Sequence, residues 1–522
     1  MIPELDYASQ KEMVRALAAA LARSAPVECV ETHISWVLLA GRDAYKIKKA
    51  LDLGFLDFRS RAARAHYCAE ELRLNRRTAP DLYLEVVGLG GTPAAPAIAT
   101  APAFDYAVRM RRFERAQVLD ALAAAGRLRP EHIDALAETV ARFHAGTAAA
   151  GMDEDYGSPA SIAAPVRQNF VQIAALLQAP TEREQLARCE DWAETSHAAL
   201  APIFAARRQA GFVRECHGDL HLGNVVLLDG RPTPFDCLEF DPALRWDDVM
   251  SDVAFLVMDL HTRGQPQLAA RLLDRYLAAT GDYAGLAVLD YYLAYRAMVR
   301  AKVELLSAGR PCPAATAYLH YAFALTQPRR GGIVITHGFS GSGKTTRTAA
   351  LVEQLGALRL RSDLERKRLY GYAPLARPDA AAQERLYSRS AGLATYERLA
   401  ELARTVLASG RIVIVDATFL RAAERQRFRD LARETAVGFA ILDCVGPPEL
   451  LKQRLEQRKR AAADASDADL AVLDRQLADH DPLLPDECAL AVRADAAEPL
   501  ANGLAPQADA KLRCLLGLKP PE

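Results

Sequence analysis

Apolar residues recur at helical spacing over Ser9–Ala22, where Met13, Val14, Leu17 and Leu21 share one face, so an amphipathic helix is expected there. The pattern then changes to strand-like runs. Val27–Thr32, Ser35–Ala40 and Ala44–Lys49, the last two joined by a turn at Gly41-Arg42-Asp43, predict three antiparallel strands. Ser60–Thr78 returns to helical spacing, Leu82–Leu89 and Phe104–Met110 read as strands, and the Ala/Pro/Gly stretch Gly90–Pro102 between them reads as a loop. Five strands and one helix would make a small N-terminal lobe. Helical patterns dominate from Glu131–Ala145 to about Ala210 and again from Val249–Leu260 to about Leu325. Between them Val225–Leu228 and Thr233–Cys237 flank Asp229-Gly230, a hairpin signal. Thr326–Gly332 is rich in structure breakers and marks a linker. Beyond it, strands at Ile333–Thr336, Ala357–Arg361, Arg411–Thr418 and Gly438–Val445 alternate with helices at Ala380–Ser409 and Leu450–Arg460, the pattern of a mainly parallel sheet. The fold expected is a two-lobed α+β domain over residues 1–328 followed by an α/β domain over 329–522.

Composition adds exclusions. The chain has 522 residues, of which 51% are hydrophobic and 25% charged, as in ordinary soluble proteins with two or three domains. A net charge of −1 argues against nucleic acid and acidic membranes as obligatory partners. The 9 cysteines are scattered without a CxxC pair, which suits reduced thiols in a cytosol better than disulfides or zinc. Met1–Asp6 has no signal-peptide character, and no apolar run reaches the ~20 residues needed to span a bilayer. A cytoplasmic protein is expected, with its oligomeric state open.

Candidate chemistry centres on His217-Gly218-Asp219-Leu220-His221-Leu222-Gly223-Asn224, followed by Asp236 after the hairpin. Phosphoryl transfer from ATP needs one carboxylate to orient an acceptor hydroxyl, here Asp219. It also needs an amide and a second carboxylate for Mg²⁺, here Asn224 and Asp236. Lys46 and Lys48 share one face of their strand, and either could hold the ATP phosphates; Lys48 is the first choice because an apolar residue directly precedes it. Glu70 and Glu71 are candidates to pair with that lysine, and Arg111-Arg112-Phe113-Glu114 would be the hinge beside adenine. Asp252, near the start of an apolar helix, either braces the catalytic-loop backbone or complements the helix dipole. His144 reads as a packed structural residue.

A second nucleotide motif follows the linker. Gly338-Phe339-Ser340-Gly341-Ser342-Gly343-Lys344-Thr345 is a complete GxxxxGK[ST] loop between a strand and a helix. Its backbone amides, through Thr346, would wrap phosphates; Lys344 would reach the β/γ-phosphates and the Thr345 hydroxyl would meet Mg²⁺. Asp416 ends an apolar strand, where such proteins place a metal- or water-linked acid. Arg454 and Arg458 share a helix face and would cover the transferring phosphate, or else form a solvated basic face.

Residues from about 25 to 325 resemble the aminoglycoside phosphotransferase family, with its protein-kinase-like fold, on the strength of His217–Asn224, Asp236 and Asp252. The resemblance implies Asp219 as catalytic base, Asn224 and Asp236 as Mg²⁺ ligands, and Lys46 or Lys48 as the ATP lysine. Residues 331 to about 495 resemble small P-loop kinases of the gluconate kinase, zeta-toxin and polynucleotide 5′-kinase types. There Asp363, just after the second strand, matches the acid that contacts the acceptor hydroxyl. Together the chain resembles the bacterial two-domain family called bifunctional aminoglycoside phosphotransferase/ATP-binding protein. Two features depart from the pattern. Glu31–Trp36 holds no glycine-rich loop, so phosphate contact there would need Ser35 or backbone groups. Glu239 and Asp241 form no acidic run of the kind that binds polycationic antibiotics, so the family name assigns no substrate.

The function expected is a bifunctional ATP-dependent kinase acting on hydroxyls of small molecules. Two rivals are a single kinase domain with an ATP-gated regulatory partner, and a C-terminal polynucleotide 5′-kinase motivated by Arg359, Arg361, Arg366, Lys367 and Arg368.

Overall fold

In the computed structural model, residues 4–54, 56–98, 102–373, 376, 379–461, 470–496 and 503–519 are described, without the side chains of 380 and 458–461. The strand pattern near the N-terminus closes into one antiparallel sheet. Its strands are β1 (Val27–Glu31), β2 (Ser35–Ala40), β3 (Asp43–Lys48), β4 (Tyr83–Thr92), β5 (Ala95–Ile98) and β6 (Asp105–Arg111), in the order β1-β2-β3-β6-β4-β5. Alternation along β3 sends Tyr45 and Ile47 to the face covered by the helix Tyr7–Leu21, where Met13, Val14 and Leu17 are buried with Trp36 and Leu38. Ala44, Lys46 and Lys48 therefore point to the opposite face, toward the helix Arg61–Asn75. Ser60 caps that helix by accepting a hydrogen bond from the Ala63 amide at 3.0 Å. Its buried face carries Arg64, Cys68, Glu71, Leu74 and Asn75. Its buried polar side chains are each paired: Glu71 with the lysines, Arg64 with Asp105 at 2.7 Å, and Asn75 with the Cys237 amide at 2.8 Å.

The sheet has six strands, not five. The stretch Gly90–Pro102 contains the end of β4 and all of β5; residues 99–101 lie outside the described residues. Gly91 at φ +82° lies where β4 turns into β5, and Thr92 Oγ1 accepts from the Ala95 amide at 3.2 Å. Pro96 is tolerated because β5 is an edge strand.

Two small ribbons flank the segment His217–Asn224. β7 (Val213–Glu215) pairs with β10 (Trp246–Asp248), and β8 (Val225–Leu228) pairs with β9 (Arg231–Pro234). Asp229 at φ +51° and Gly230 at φ +79° form the two-residue turn that Asp-Gly signals. The second large sheet is wholly parallel: β11 (Gly332–His337), β12 (Leu358–Arg361), β13 (Ile412–Asp416), β14 (Gly438–Val445) and β15 (Ala491–Asp495), ordered β12-β13-β11-β14-β15. β11 lies centrally, so the loop after it opens between β13 and β14, where the strand order reverses direction.

The chain divides into two compact units. One comprises Met1–Leu176, Glu194–Asp259 and Tyr295–Ser307; the other comprises Leu177–Ala193, Leu260–Ala294 and Ala308–Glu522. The linker Thr326–Gly332 thus marks a change of sequence pattern, while segments well before it pack with the parallel sheet. Among the described residues no helix is long and apolar enough to cross a membrane.

Candidate active sites

In the first unit the lysine face of β3, the helix Arg61–Asn75 and the segment after β9 converge. Lys46 Nζ lies 2.7 Å from Glu71 Oε1 and also pairs with Asp236. Lys48 Nζ lies 2.6 Å from Glu71 Oε2 and pairs with Glu239. Lys48 has no exposed surface. The first-choice lysine is thus the inner one, and Lys46 is the one beside Asp236. The apolar residue before Lys48 signals only that its neighbour faces a core. Glu71 serves both lysines, whereas Glu70 turns outward to Arg73 at 2.9 Å.

Burial alone would lower both lysine pKa values, but the facing carboxylates, Asp236 and Glu71 for Lys46, Glu239 and Glu71 for Lys48, raise them above the usual range. Burial would raise Glu71, and the two ammonium groups instead hold it down at about 2. Glu239 is pushed up by burial against the pull of Lys48. We predict that Lys48→Met lowers stability by about 3–5 kcal/mol, because buried carboxylates lose their shared cation. Lys46→Met costs the fold less, since Glu71 keeps Lys48 and the Asp236 side chain is 43% exposed. Melting curves of the two variants check this order.

The loop His217–Asn224 is held from behind. Asp252 Oδ2 accepts from the His217 amide at 2.7 Å and Oδ1 from the Gly218 amide at 3.0 Å. His144 Nε2 lies 3.3 Å from the same carboxylate. Burial would raise Asp252, but hydrogen bonding from His144 and nearby positive charge bring it to about 2. Asp252 thus bonds the loop backbone while lying in the first turn of the helix Val249–Thr262, so both of its readings are present. Arg296 donates to the Gly218 carbonyl at 3.0 Å, and Asp259 Oδ2 accepts from the Leu222 amide at 2.9 Å. Neither residue was legible as part of a site, because each sits inside an otherwise ordinary helix.

Asp219 is left with a half-open carboxylate. Burial raises its pKa, but His221 at 3.6 Å and His217 pull it below the usual range, so it is ionised at neutral pH. Asn224 Nδ2 donates to the Asp219 carbonyl and to its Oδ2, both at 3.0 Å. Its Oδ1 accepts no hydrogen bond among the described residues. Asp236 stands at φ +63°, uncommon for a residue with a side chain, and its amide donates to the Tyr83 hydroxyl at 3.2 Å. Ser35 is buried opposite Lys48, with its Oγ unpartnered; the β1–β2 turn closes through Thr32 Oγ1 and the Ser35 amide at 3.0 Å, without glycine.

In the second unit Gly338, Gly341 and Gly343 adopt φ +139°, +84° and +84°. A Cβ at Gly341 would meet the Leu451 carbonyl at 2.7 Å, so the loop is a cradle that only glycine allows. Lys344 begins the helix Lys344–Leu355, and its Nζ donates to the Gly338 and Phe339 carbonyls at 2.8 and 2.7 Å. A cavity of 230 Å³ lies over the loop, lined by Ser340, Gly341, Gly343, Lys344, Thr345 and Thr346 together with Asp363, Asp416 and Arg454. Residues distant in sequence thus meet at one place. Ser342 is buried beside it, with an unpartnered Oγ. Asp363 is paired with Arg361 at 2.6 Å; burial raises its pKa, and Arg361, the Leu364 amide and Arg359 together bring it below the usual range. Arg454 donates to the Ala496 carbonyl at 2.6 Å, and the Arg458 side chain lies outside the described residues. Sequence reasoning missed Gln476, whose Oε1 accepts from the Ser340 amide at 2.9 Å.

The basic run proposed for nucleic acid is largely internal. Arg359 and Lys367 are buried, Arg361 faces Asp363, and Arg368 pairs with Glu365.

Residues 58–289 match the model of the phosphotransferase enzyme family, and residues 333–483 match that of an AAA domain. An uncharacterized protein of Mycobacterium tuberculosis is 31% identical over 459 residues, covering 87% of this chain and 91% of its own. One of Mycobacterium bovis matches with the same values. Among solved structures, a gluconokinase from Sinorhizobium meliloti aligns at 24% identity over 36% of this chain and 95% of its own, with a TM-score of 0.26. A thermostable mutant of an aminoglycoside phosphotransferase aligns at 13% identity over 60% and 97%, with a TM-score of 0.39.

Proposed function

We propose a chemistry for this chain from one premise: it belongs to the bacterial proteins that join an aminoglycoside-phosphotransferase-like domain to a P-loop kinase domain, and it is an ATP-dependent kinase. Both domains transfer the γ-phosphoryl group of ATP to a hydroxyl of a small molecule. One observation carries the reading: each site gathers a lysine and acids from distant stretches of the chain. In the first site Lys46 is held by Glu71 and Asp236, and the Asp219 carboxylate is oriented by Asn224. In the second Lys344 and Asp363, the latter oriented by Arg361, line one cavity.

Oxygen donors suited to Mg²⁺ are present in both sites. Asn224 turns its Nδ2 to Asp219 and would offer Oδ1 to a cation, and Asp236 follows Phe235, whose amide donates to the Asn224 carbonyl at 2.9 Å. Thr345 and Asp416 line the second cavity together. Mg²⁺, which Asn224 and Asp236 would hold in the first site and Thr345 and Asp416 in the second, would supply positive charge to offset that of the phosphates. The protein's part is positioning and electrostatics. Ionised Asp219 accepts a hydrogen bond from the acceptor hydroxyl and aligns it; Lys46 fixes ATP, with Glu71 keeping the ammonium in place. In the second site the amides of the loop wrap the phosphates, Lys344 leaves the loop carbonyls for them, and Asp363 aligns the acceptor. Arg454 stands over the cavity to meet the transferring group. Acceptors in the first site need not be polycations, since the buried acids Glu71 and Glu239 are spent on lysines.

Asp363→Asn tests the second site's acid. Phosphotransfer by that domain is expected to fall roughly 10²- to 10⁴-fold with ATP affinity unchanged. A variant with parent-like kcat on the same acceptor would remove Asp363 from the mechanism. The decisive assay is ATP consumption across a panel of hydroxyl-bearing metabolites and antibiotics.

A further inference from the structure

The helix Pro266–Thr280 lies within the stretch matched by the phosphotransferase family, yet it packs in the compact unit of the parallel sheet. It buries Leu268, Ala269, Leu272, Leu273, Tyr276 and Leu277, and among these apolar residues it buries one acid, Asp274, 3% exposed. An acid so placed needs a partner. Asp274 Oδ1 accepts from the Arg359 amide at 2.8 Å, and Oδ2 lies 3.5 Å from the Arg359 guanidinium. Arg359, on β12 and also 3% exposed, reaches on into the nucleotide loop. Its Nη1 donates to the Thr345 carbonyl at 2.8 Å and to Thr348 Oγ1 at 3.3 Å. Thr348 Oγ1 lies 3.1 Å from the Thr345 carbonyl and 3.3 Å from Asp416 Oδ2. The helix is fixed a second time by Arg271, 2.5 Å from Glu353 on the loop's own helix.

The hydroxyl of Thr348 has one proton and two acceptors within reach. Arg359 donates to both the Thr345 carbonyl and Thr348 Oγ1, so one guanidinium ties together the residue that lines the cavity and the hydroxyl that reaches Asp416. Thr345 and Asp416 line the same cavity. Asp274 in turn fixes the guanidinium and balances its charge in a dry environment.

We propose that Asp274 and Arg359 are positioning residues of the second nucleotide site, setting Thr345 and Asp416 for the metal–nucleotide complex, so that a helix from the phosphotransferase stretch is an integral part of the P-loop kinase. The proposal rests on the reading of Gly338–Thr346 as a nucleotide site and goes beyond it by naming what holds that site's metal-facing groups.

The test uses the full chain carrying Lys46→Met and Asp236→Ala, which silences the first site. A non-hydrolysable ATP analogue is titrated at a series of Mg²⁺ concentrations. Losing a hydrogen bond to a charged group should raise the Mg²⁺ concentration for half-maximal binding roughly tenfold in Asp274→Asn and in Arg359→Met. Binding without Mg²⁺ should be unchanged, and Asp274→Glu should recover part of the loss. If Asp274→Asn folds poorly, the double variant Asp274→Asn/Arg359→Met, which buries no unpaired cation, takes its place. Parent-like Mg²⁺ dependence in these variants, with or without a lower melting temperature, would leave the pair a structural contact and overturn the proposal. A silenced parent that binds no analogue, or binds it equally well after Lys344→Ala, would instead overturn the nucleotide reading beneath it.

Discussion

Replacing Asp219 by Asn lowers phosphotransfer by the first domain roughly 10²- to 10⁴-fold, the range for losing a positioned acid–base group. The fold and ATP affinity stay at parent values. The substitution conserves volume, the side chain is 38% exposed, and its backbone carbonyl still accepts from Asn224. What is lost is the negative charge. His221 and His217 hold the Asp219 carboxylate ionised, and only an ionised carboxylate can take up the proton of the acceptor hydroxyl. The effect therefore falls on kcat, with KM for ATP unmoved. Steady-state kinetics on any acceptor of the first domain check this, and parent-like kcat in the variant would remove Asp219 from its role.

Lys344→Ala produces the second large effect, confined to the other site. The Lys344 ammonium is held by the Gly338 and Phe339 carbonyls at 2.8 and 2.7 Å, poised at the rim of the phosphate cavity. Its removal takes away a charge-assisted contact in the ground state, on the order of 1.5–3 kcal/mol. It also removes a fixed positive charge from the transition state, where one such donor is worth roughly 10²- to 10³-fold in rate. Both KM for ATP and kcat should change. The loop itself should survive, because its shape depends on glycines at positive φ and not on the lysine. Nucleotide titration and kinetics together measure the two components, with melting temperature as the control.

Much of this was legible in the sequence because the relevant signals are local. The glycine loop, the Asp-Gly turn and the strand lysines are set by backbone geometry and side-chain alternation over a few residues. What escaped was set by tertiary partners. β15, Ala491-Val492-Arg493-Ala494-Asp495, has little strand propensity and exists because β14 offers it an edge. β10 is an acidic tripeptide that forms a strand only against β7. The choice between Lys46 and Lys48 could not be read from their shared face. It turns on Asp236 and Glu239, which arrive from far along the chain. Asp274 was invisible for the same reason: a lone acid on an apolar helix has no meaning until Arg359 is seen beside it.

The central claim is that the chain holds two working kinase sites. ATP consumption by the intact protein across a metabolite and antibiotic panel, repeated with Asp219→Asn, Lys344→Ala and the double variant, tests it most directly. With two working sites, one set of acceptors loses its phosphorylation with Asp219→Asn and keeps it with Lys344→Ala, and a second set responds in the opposite way. If every activity disappears with one of the two substitutions and none with the other, only one domain is a kinase and the claim of two is wrong.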